Sequence, residues 1–270
     1  MTNKFIAGGC SFTFGHELSD DQEGKVPSKK TWSALLADQM DHVTGKNEYV
    51  CTAYPGSGNS GIARRMFNAV ANNKDVECVV VMWSFLSRYD WAMSRHRALE
   101  DTRWATISPW DTDIGSEEAH QNLSGSDTQQ QQWITRQNLF RETGVKDFAE
   151  SIYKRGANQY HETYLSWKSI IWLQNILEKK NIPYMFTLAD NSLFYDEFKQ
   201  HKDQDPFMKA LHSEIDISKW FFFGDRCMGF NQWALLNDYP RGTTHPLDQA
   251  HADAVQLMLP TFNKLIGEKQ

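Results

Sequence analysis

Two short stretches near opposite ends of this 270-residue chain carry residue types that can do chemistry. The first runs Lys4-Phe5-Ile6-Ala7-Gly8-Gly9-Cys10-Ser11-Phe12-Thr13-Phe14-Gly15, where an apolar run breaks at two glycines and Ser11 follows at once. The second is His245-Pro246-Leu247-Asp248-Gln249-Ala250-His251. A serine hydroxyl is a weak nucleophile at neutral pH and needs a neighbouring base. An imidazole near its ordinary pKa can take that proton and return it. Each residue also has a plain structural reading. Ser11 suits the N-cap of a helix, His245 a loop before proline, and His251 the surface of a helix's first turn. Two histidines alone lack the third ligand of a metal site. The four cysteines (Cys10, Cys51, Cys78, Cys227) form no CxxC pair, which argues against zinc and for reduced thiols. Gly8 to Gly15 is not GxGxxG and no GK[ST] occurs, so no phosphate-binding loop is expected.

The elements that must position these residues follow from apolar periodicity. Phe5 to Ala7 read as a buried strand, and Gly8-Gly9 permit a tight turn at its carboxyl end. In an open α/β sheet that end is where ligands bind. A polar loop spans residues 17–30, and Trp32, Leu35, Leu36 and Met40 then have helical spacing. Residues 49–54 form a short strand candidate, closed by Pro55-Gly56-Ser57-Gly58-Asn59. A helix follows from about Ser60 to Asn72, with Ile62, Met66, Phe67 and Val70 on its buried face. Residues 76–83 are the clearest strand, continuously apolar from Cys78 to Trp83, as expected when both faces of a parallel strand are covered. Helices are expected over 145–154, 162–180 and 250–266, and a strand over Tyr184–Leu188. Strands alternating with helices at this spacing imply a doubly wound parallel sheet.

The pattern fails between residues 84 and 143. This segment holds Trp91, Trp104, Trp110 and Trp133 and reads as an irregular, aromatic-rich insertion with some short helices. So long a structureless loop is uncommon inside a compact domain. It leaves the carboxyl end of the third strand, the edge that also carries Ser11. The expectation is that its tryptophans roof the cleft; a peripheral packing flap is the alternative.

Composition narrows the class. With 40% hydrophobic residues, a chain of this length can bury a core without staples, as a single domain over 1–270 carrying the insertion. The net charge of -6 comes with no basic block, so no nucleic-acid footprint is expected. No apolar run approaches a membrane span, and the amino terminus shows no signal-type apolar region. A cytoplasmic protein without membrane partners is the expectation.

Three further features give these stretches a common meaning. Gly9-Cys10-Ser11-Phe12-Thr13 resembles the first block of the SGNH (GDSL-like) hydrolase superfamily, commonly Gly-Asp-Ser. Pro55-Gly56-Ser57-Gly58-Asn59 resembles its second block, whose glycine supplies a backbone donor. Thr244-His245-Pro246, with Ala250-His251 beyond it, resembles its last block, Asp-x-x-His-Pro. The resemblance covers the sheet framework and not the insertion. It implies a three-layer, flavodoxin-like sandwich and a metal-free, cofactor-free hydrolase of ester or related acyl bonds. An O-acylated carbohydrate is one substrate class it suggests.

Two positions depart from the resembled pattern. The third block reads Met82-Trp83-Ser84-Phe85 where Gly-x-Asn-Asp is usual, so the oxyanion asparagine is missing. Asn59 or Ser84 would have to donate beside Gly56, with Trp83 next to them. Gly242 stands three residues before His245, where the triad aspartate belongs. Asp238 and Asp248 are the nearby carboxylates, a Ser-His dyad is a further possibility, and Asp248-x-x-His251 makes His251 a rival base. A non-catalytic binding or structural protein that retains the fold, with the insertion as contact surface, is the alternative function.

Overall fold

The computed structural model describes residues 3–44, 47–93, 104–112, 127–194 and 205–267. Four parallel strands make the central sheet: β1 (Lys4–Gly8), β2 (Glu48–Cys51), β3 (Val76–Trp83) and, later in the chain, the strand Tyr184–Leu188. Between them a two-stranded antiparallel ribbon forms from β4 (Tyr89–Ala92) and β5 (Trp104–Ile107), so Tyr184–Leu188 is β6. The sheet order is β2-β1-β3-β6. Chain direction across the sheet reverses at β1, the type of point where α/β sheets open a crevice. Beyond β6 the Phe221 amide donates to the Phe186 carbonyl at 2.8 Å, and Phe186–Trp220 form a lone parallel bridge. The aromatic run at 220–223 thus covers the sheet edge as a rudimentary fifth strand.

Alternation along the strands sorts the core into two layers. Phe5, Ala7, Cys78, Val80, Met82 and Met185 face helices α2 (Trp32–Thr44), Phe230–Leu236 and Asp248–Gly267. Ile6, Val79, Val81, Trp83, Phe186 and Leu188 face α3 (Asn59–Asn72) and Gln159–Lys179. The result is the expected three-layer α/β sandwich. Strands β1, β2, β3 and β6 and the four long helices that flank the sheet lie where periodicity places them.

The segment 84–143 departs from the expected irregularity. Its described parts form the β4–β5 ribbon, a 3-10 turn at Pro109–Asp111 and α4 (Asp127–Thr143), followed by α5 (Val145–Ser151). Tyr89, Ala105, Ile107, Phe140, Val145 and Ala149 bury a small core of their own. Asp111, fully buried, accepts from Arg136 Nε and Nη2, both at 3.0 Å, and so ties α4 to the ribbon. Tyr89 Oη donates to Glu162 at 2.9 Å and Tyr153 Oη to the Ser87 carbonyl at 2.5 Å, anchoring the unit to the sandwich. Residues 94–103 and 113–126 of the expected insertion lie outside the described residues. The remaining helices are α6 (Gln159–Lys179), α7 (Pro206–Ser213), α8 (Phe230–Leu236) and α9 (Asp248–Gly267).

Candidate active site

Ser11 opens α1 (Ser11–Phe14), a single turn that begins directly after β1. Gly9 has φ +158, and a β-carbon there would collide with the Thr13 side chain, so only glycine lets the turn close onto the strand. Gly15, in the left-handed region at φ 88, ends the helix at once and turns the chain back. These two glycines place Ser11 at the carboxyl edge of the sheet and send residues 16 and 17 over the same edge.

His245 meets Ser11 there. Its Nε2 lies 2.7 Å from Ser11 Oγ, across 234 residues of chain. Both residues are buried, and the imidazole packs edge-on against Phe12 at 4.8 Å between ring centroids. The other ring nitrogen, Nδ1, lies 2.8 Å from Glu17 Oε2. A carboxylate only accepts, so Nδ1 carries the proton and Nε2 is free to accept from the serine.

Glu17 is gripped by the loop that carries the histidine. Its Oε1 accepts from the Thr243 amide at 2.8 Å, and its Oε2 from the Thr244 and His245 amides at 3.0 and 2.9 Å. Burial pushes the Glu17 carboxyl up. The hydrogen bonds from His245 and Thr244 outweigh that and hold it well below the usual carboxylate range. Glu17 itself sits at φ 67, a left-handed conformation that costs a glutamate about 1–2 kcal/mol. Its amide donates to Asp21 Oδ2 at 2.9 Å, which helps to hold it there.

The carboxylate that meets His245 is therefore Glu17, and not either of the aspartates expected from sequence. Asp238 is exposed in the turn after α8, and its side chain makes no hydrogen bond among the described residues. Asp248 accepts from the Ser19 amide at 3.0 Å and pairs with Lys30 Nζ at 2.8 Å, so it pins the 17–30 loop to the start of α9. His251 is corrected as a rival base. It is buried, and its Nδ1 accepts from the Trp32 amide at 3.1 Å, capping α2. Burial, reinforced by nearby His245, pushes its pKa down to about 3.

The oxyanion candidates also sort differently. Gly56 lies in the turn after β2 at φ 80, with open space where a β-carbon would be, and that turn is hung on β1 by the Tyr54 amide, 3.1 Å from the Gly9 carbonyl. The backbone amides of Ser11 and Gly56 donate to no other described residue. Asn59 is corrected: both Nδ2 protons are engaged, with the Ser84 carbonyl at 3.1 Å and Ser166 Oγ at 3.0 Å. Its Oδ1 accepts from the Ser84 amide at 2.8 Å, so Asn59 clamps the end of β3. Trp83 is corrected too, since its indole is fully buried against Phe186. Ser84 Oγ accepts from Arg88 Nη1 at 2.9 Å. Trp91 packs on Phe148 and Trp104 under the Arg64 guanidinium, while Phe85 packs near Phe12, with 6.2 Å between ring centroids.

Glu17 and Arg88 escaped the sequence reading. A glycine where an aspartate belongs, with a carboxylate six residues after the serine, was the signal available for Glu17. Among the described residues no three His, Cys, Asp or Glu side chains group as a metal site. No helix there is long and apolar enough to cross a membrane. The arrangement can pass a proton from Ser11 to His245 and stabilise the resulting imidazolium with Glu17.

No protein-family model and no curated protein matches the chain. Solved structures similar to it include the psychrotrophic esterase EstA from Pseudoalteromonas sp., at 12% identity, covering 98% of this chain and 99% of that one, with a TM-score of 0.46. A member of the lipolytic G-D-S-L family from Veillonella parvula is 12% identical over 98% of this chain and 100% of that one, TM-score 0.43. The acetyl xylan esterase AlAXEase is 14% identical over 95% and 98%, TM-score 0.40.

Proposed function

We propose that this protein hydrolyses an ester or O-acyl bond with Ser11 as nucleophile, His245 as general base and acid, and Glu17 as the carboxylate that orients the histidine. The observation that carries this reading is the continuous chain Ser11 Oγ, His245 Nε2, His245 Nδ1, Glu17 Oε2, with links of 2.7 and 2.8 Å. It has the connectivity of the Ser-His-acid triad, which is recognised by geometry and not by chain order.

Ser11 Oγ attacks the carbonyl carbon while its proton passes to Nε2. The carbonyl oxygen becomes an oxyanion, faced by the Ser11 and Gly56 backbone amides. Collapse expels the alcohol, which takes the proton from Nε2. Water then attacks the acyl-serine by the same route, giving the acid and restoring the serine. Glu17, held ionised by its hydrogen bonds, stabilises the imidazolium through each half-reaction.

Short-chain p-nitrophenyl esters and O-acetylated sugars, the latter suggested by the family resemblance, form the first substrate screen. Ser11→Ala should abolish turnover and labelling by a fluorophosphonate. A wild-type protein that neither turns over these esters nor forms the adduct would leave the fold as a binding module, and the hydrolase reading would be abandoned.

A further inference from the structure

The site as described lacks a third oxyanion donor, because Asn59 is committed to Ser84 and no asparagine follows β3. We infer that Arg88 fills this place: its guanidinium donates to the oxyanion that forms when Ser11 attacks. The inference rests on the hydrolase reading above and adds to it a catalytic group.

Three observations place Arg88. Its Nη1 donates to Ser84 Oγ at 2.9 Å and approaches the Ser57 carbonyl at 3.5 Å, so it bridges the end of β3 and the Gly56 turn. Its guanidinium carbon lies 4.7 Å above the Phe85 ring, and Phe85 in turn meets Phe12, the neighbour of Ser11. The backbone is drawn in as well. A β-carbon on Gly58 would stand 2.5 Å from the Arg88 carbonyl oxygen, so only glycine permits this closeness.

Arg88 is half-buried and pairs with no carboxylate among the described residues. Its Nε and Nη2 protons have no described partner, whereas a guanidinium offers five donors in a fixed fork. One arm is thus anchored on Ser84 while the others remain for a ligand. The Ser84 hydroxyl, accepting from a cation, is itself polarised as a donor. A cation beside a developing oxyanion, in a site lined by Phe12 and Phe85, binds the transition state more strongly than the neutral ester.

The test uses the full chain and a neutral ester, p-nitrophenyl acetate, beside a fluorophosphonate probe. Arg88→Ala should lower kcat about 100- to 1,000-fold with little change in KM, the loss expected for one oxyanion donor. Added guanidinium ion should restore part of it, which repair of a structural defect would not. Arg88→Lys, which keeps a cation over Phe85, should lie between the two and serves if the alanine variant does not fold. Wild-type kcat in these variants, or a raised KM at unchanged kcat, would overturn the role of Arg88 and leave Ser11 catalysis standing. Absence of Ser11-dependent turnover and adduct in the wild type would instead remove the hydrolase reading, and the oxyanion role with it.

Discussion

Gly242 and Glu17 occupy one another's space: a β-carbon on Gly242 would stand 2.8 Å from Glu17 Cδ and 2.9 Å from Oε2. Gly242 is the position where the resembled family carries its triad aspartate. Here the carboxylate beside the imidazole is that of Glu17, from the loop after α1, and the bare glycine leaves room for it. Gly242→Ala should therefore push Glu17 off Nδ1. The expected outcome is a fall in kcat together with a stability loss of about 1–3 kcal/mol, the range for overpacking. The double variant Glu17→Ala/Gly242→Asp should recover part of the activity lost in Glu17→Ala. Steady-state kinetics on one ester series checks both.

Glu17→Gln keeps the shape and removes the charge. By comparison with amide replacement of a triad carboxylate, kcat should fall about 10⁴-fold. Asp238→Asn, at an exposed turn, should leave kcat unchanged. The pH dependence of stability has a definite sign. Glu17 is depressed in the folded state, so its contribution is present above its unfolded pKa of about 4.3 and is lost as pH falls through the lower folded value. The stability difference between wild type and Glu17→Gln should shrink on acidification below that point, read by urea titration at each pH.

His251 supplies a second acid-sensitive element, of structural origin. The unfolded imidazole takes a proton near pH 6.5, while the buried one resists until about 3. The unfolded state thus binds more protons in that window, and stability falls as pH drops from about 6.5 towards 3, at up to about 1.4 kcal/mol per pH unit. His251→Asn places a side-chain oxygen where Nδ1 accepts from the Trp32 amide. It should flatten the slope in this window and leave ester turnover at pH 8 intact. A large loss of kcat in a folded His251→Asn protein would return this residue to the catalytic site.

Asn59 holds both backbone groups of Ser84, a residue with no exposure to solvent. Asn59→Ala strands those groups, at a cost of about 2–3 kcal/mol. Release of Ser84 also frees the anchor of Arg88, so kcat should fall along with the urea midpoint. A stable Asn59→Ala protein with wild-type kcat would show that the clamp has no part in shaping the site.

Much of this architecture is legible without coordinates. Short apolar runs at Phe5–Ala7, Cys78–Trp83 and Tyr184–Leu188 read as buried strands, and helical periodicity between them implies the sandwich. Ser11 after Gly8-Gly9, and His245 before Pro246, are marked by residue type, since few side chains serve as nucleophile and base. The orienting acid is not marked in this way. Residue 17 and residue 245 are separated by 228 positions, and any of several carboxylates satisfies composition equally well. Asp248 is nearer in sequence, yet it is drawn off to Ser19 and Lys30. Glu17 is selected because the left-handed Gly15 ends α1 after one turn and returns the chain across the sheet edge. There the amides of Thr243, Thr244 and His245 converge on one carboxylate. The ribbon within 84–143 is hidden for a related reason, because its strands are four residues long and, among the described residues, pair with each other and not with the main sheet. Side-chain chemistry is a local property written residue by residue. Which carboxylate reaches which imidazole depends on how two loops far apart in the chain meet over the carboxyl edge of the sheet, and only the folded sheet decides that.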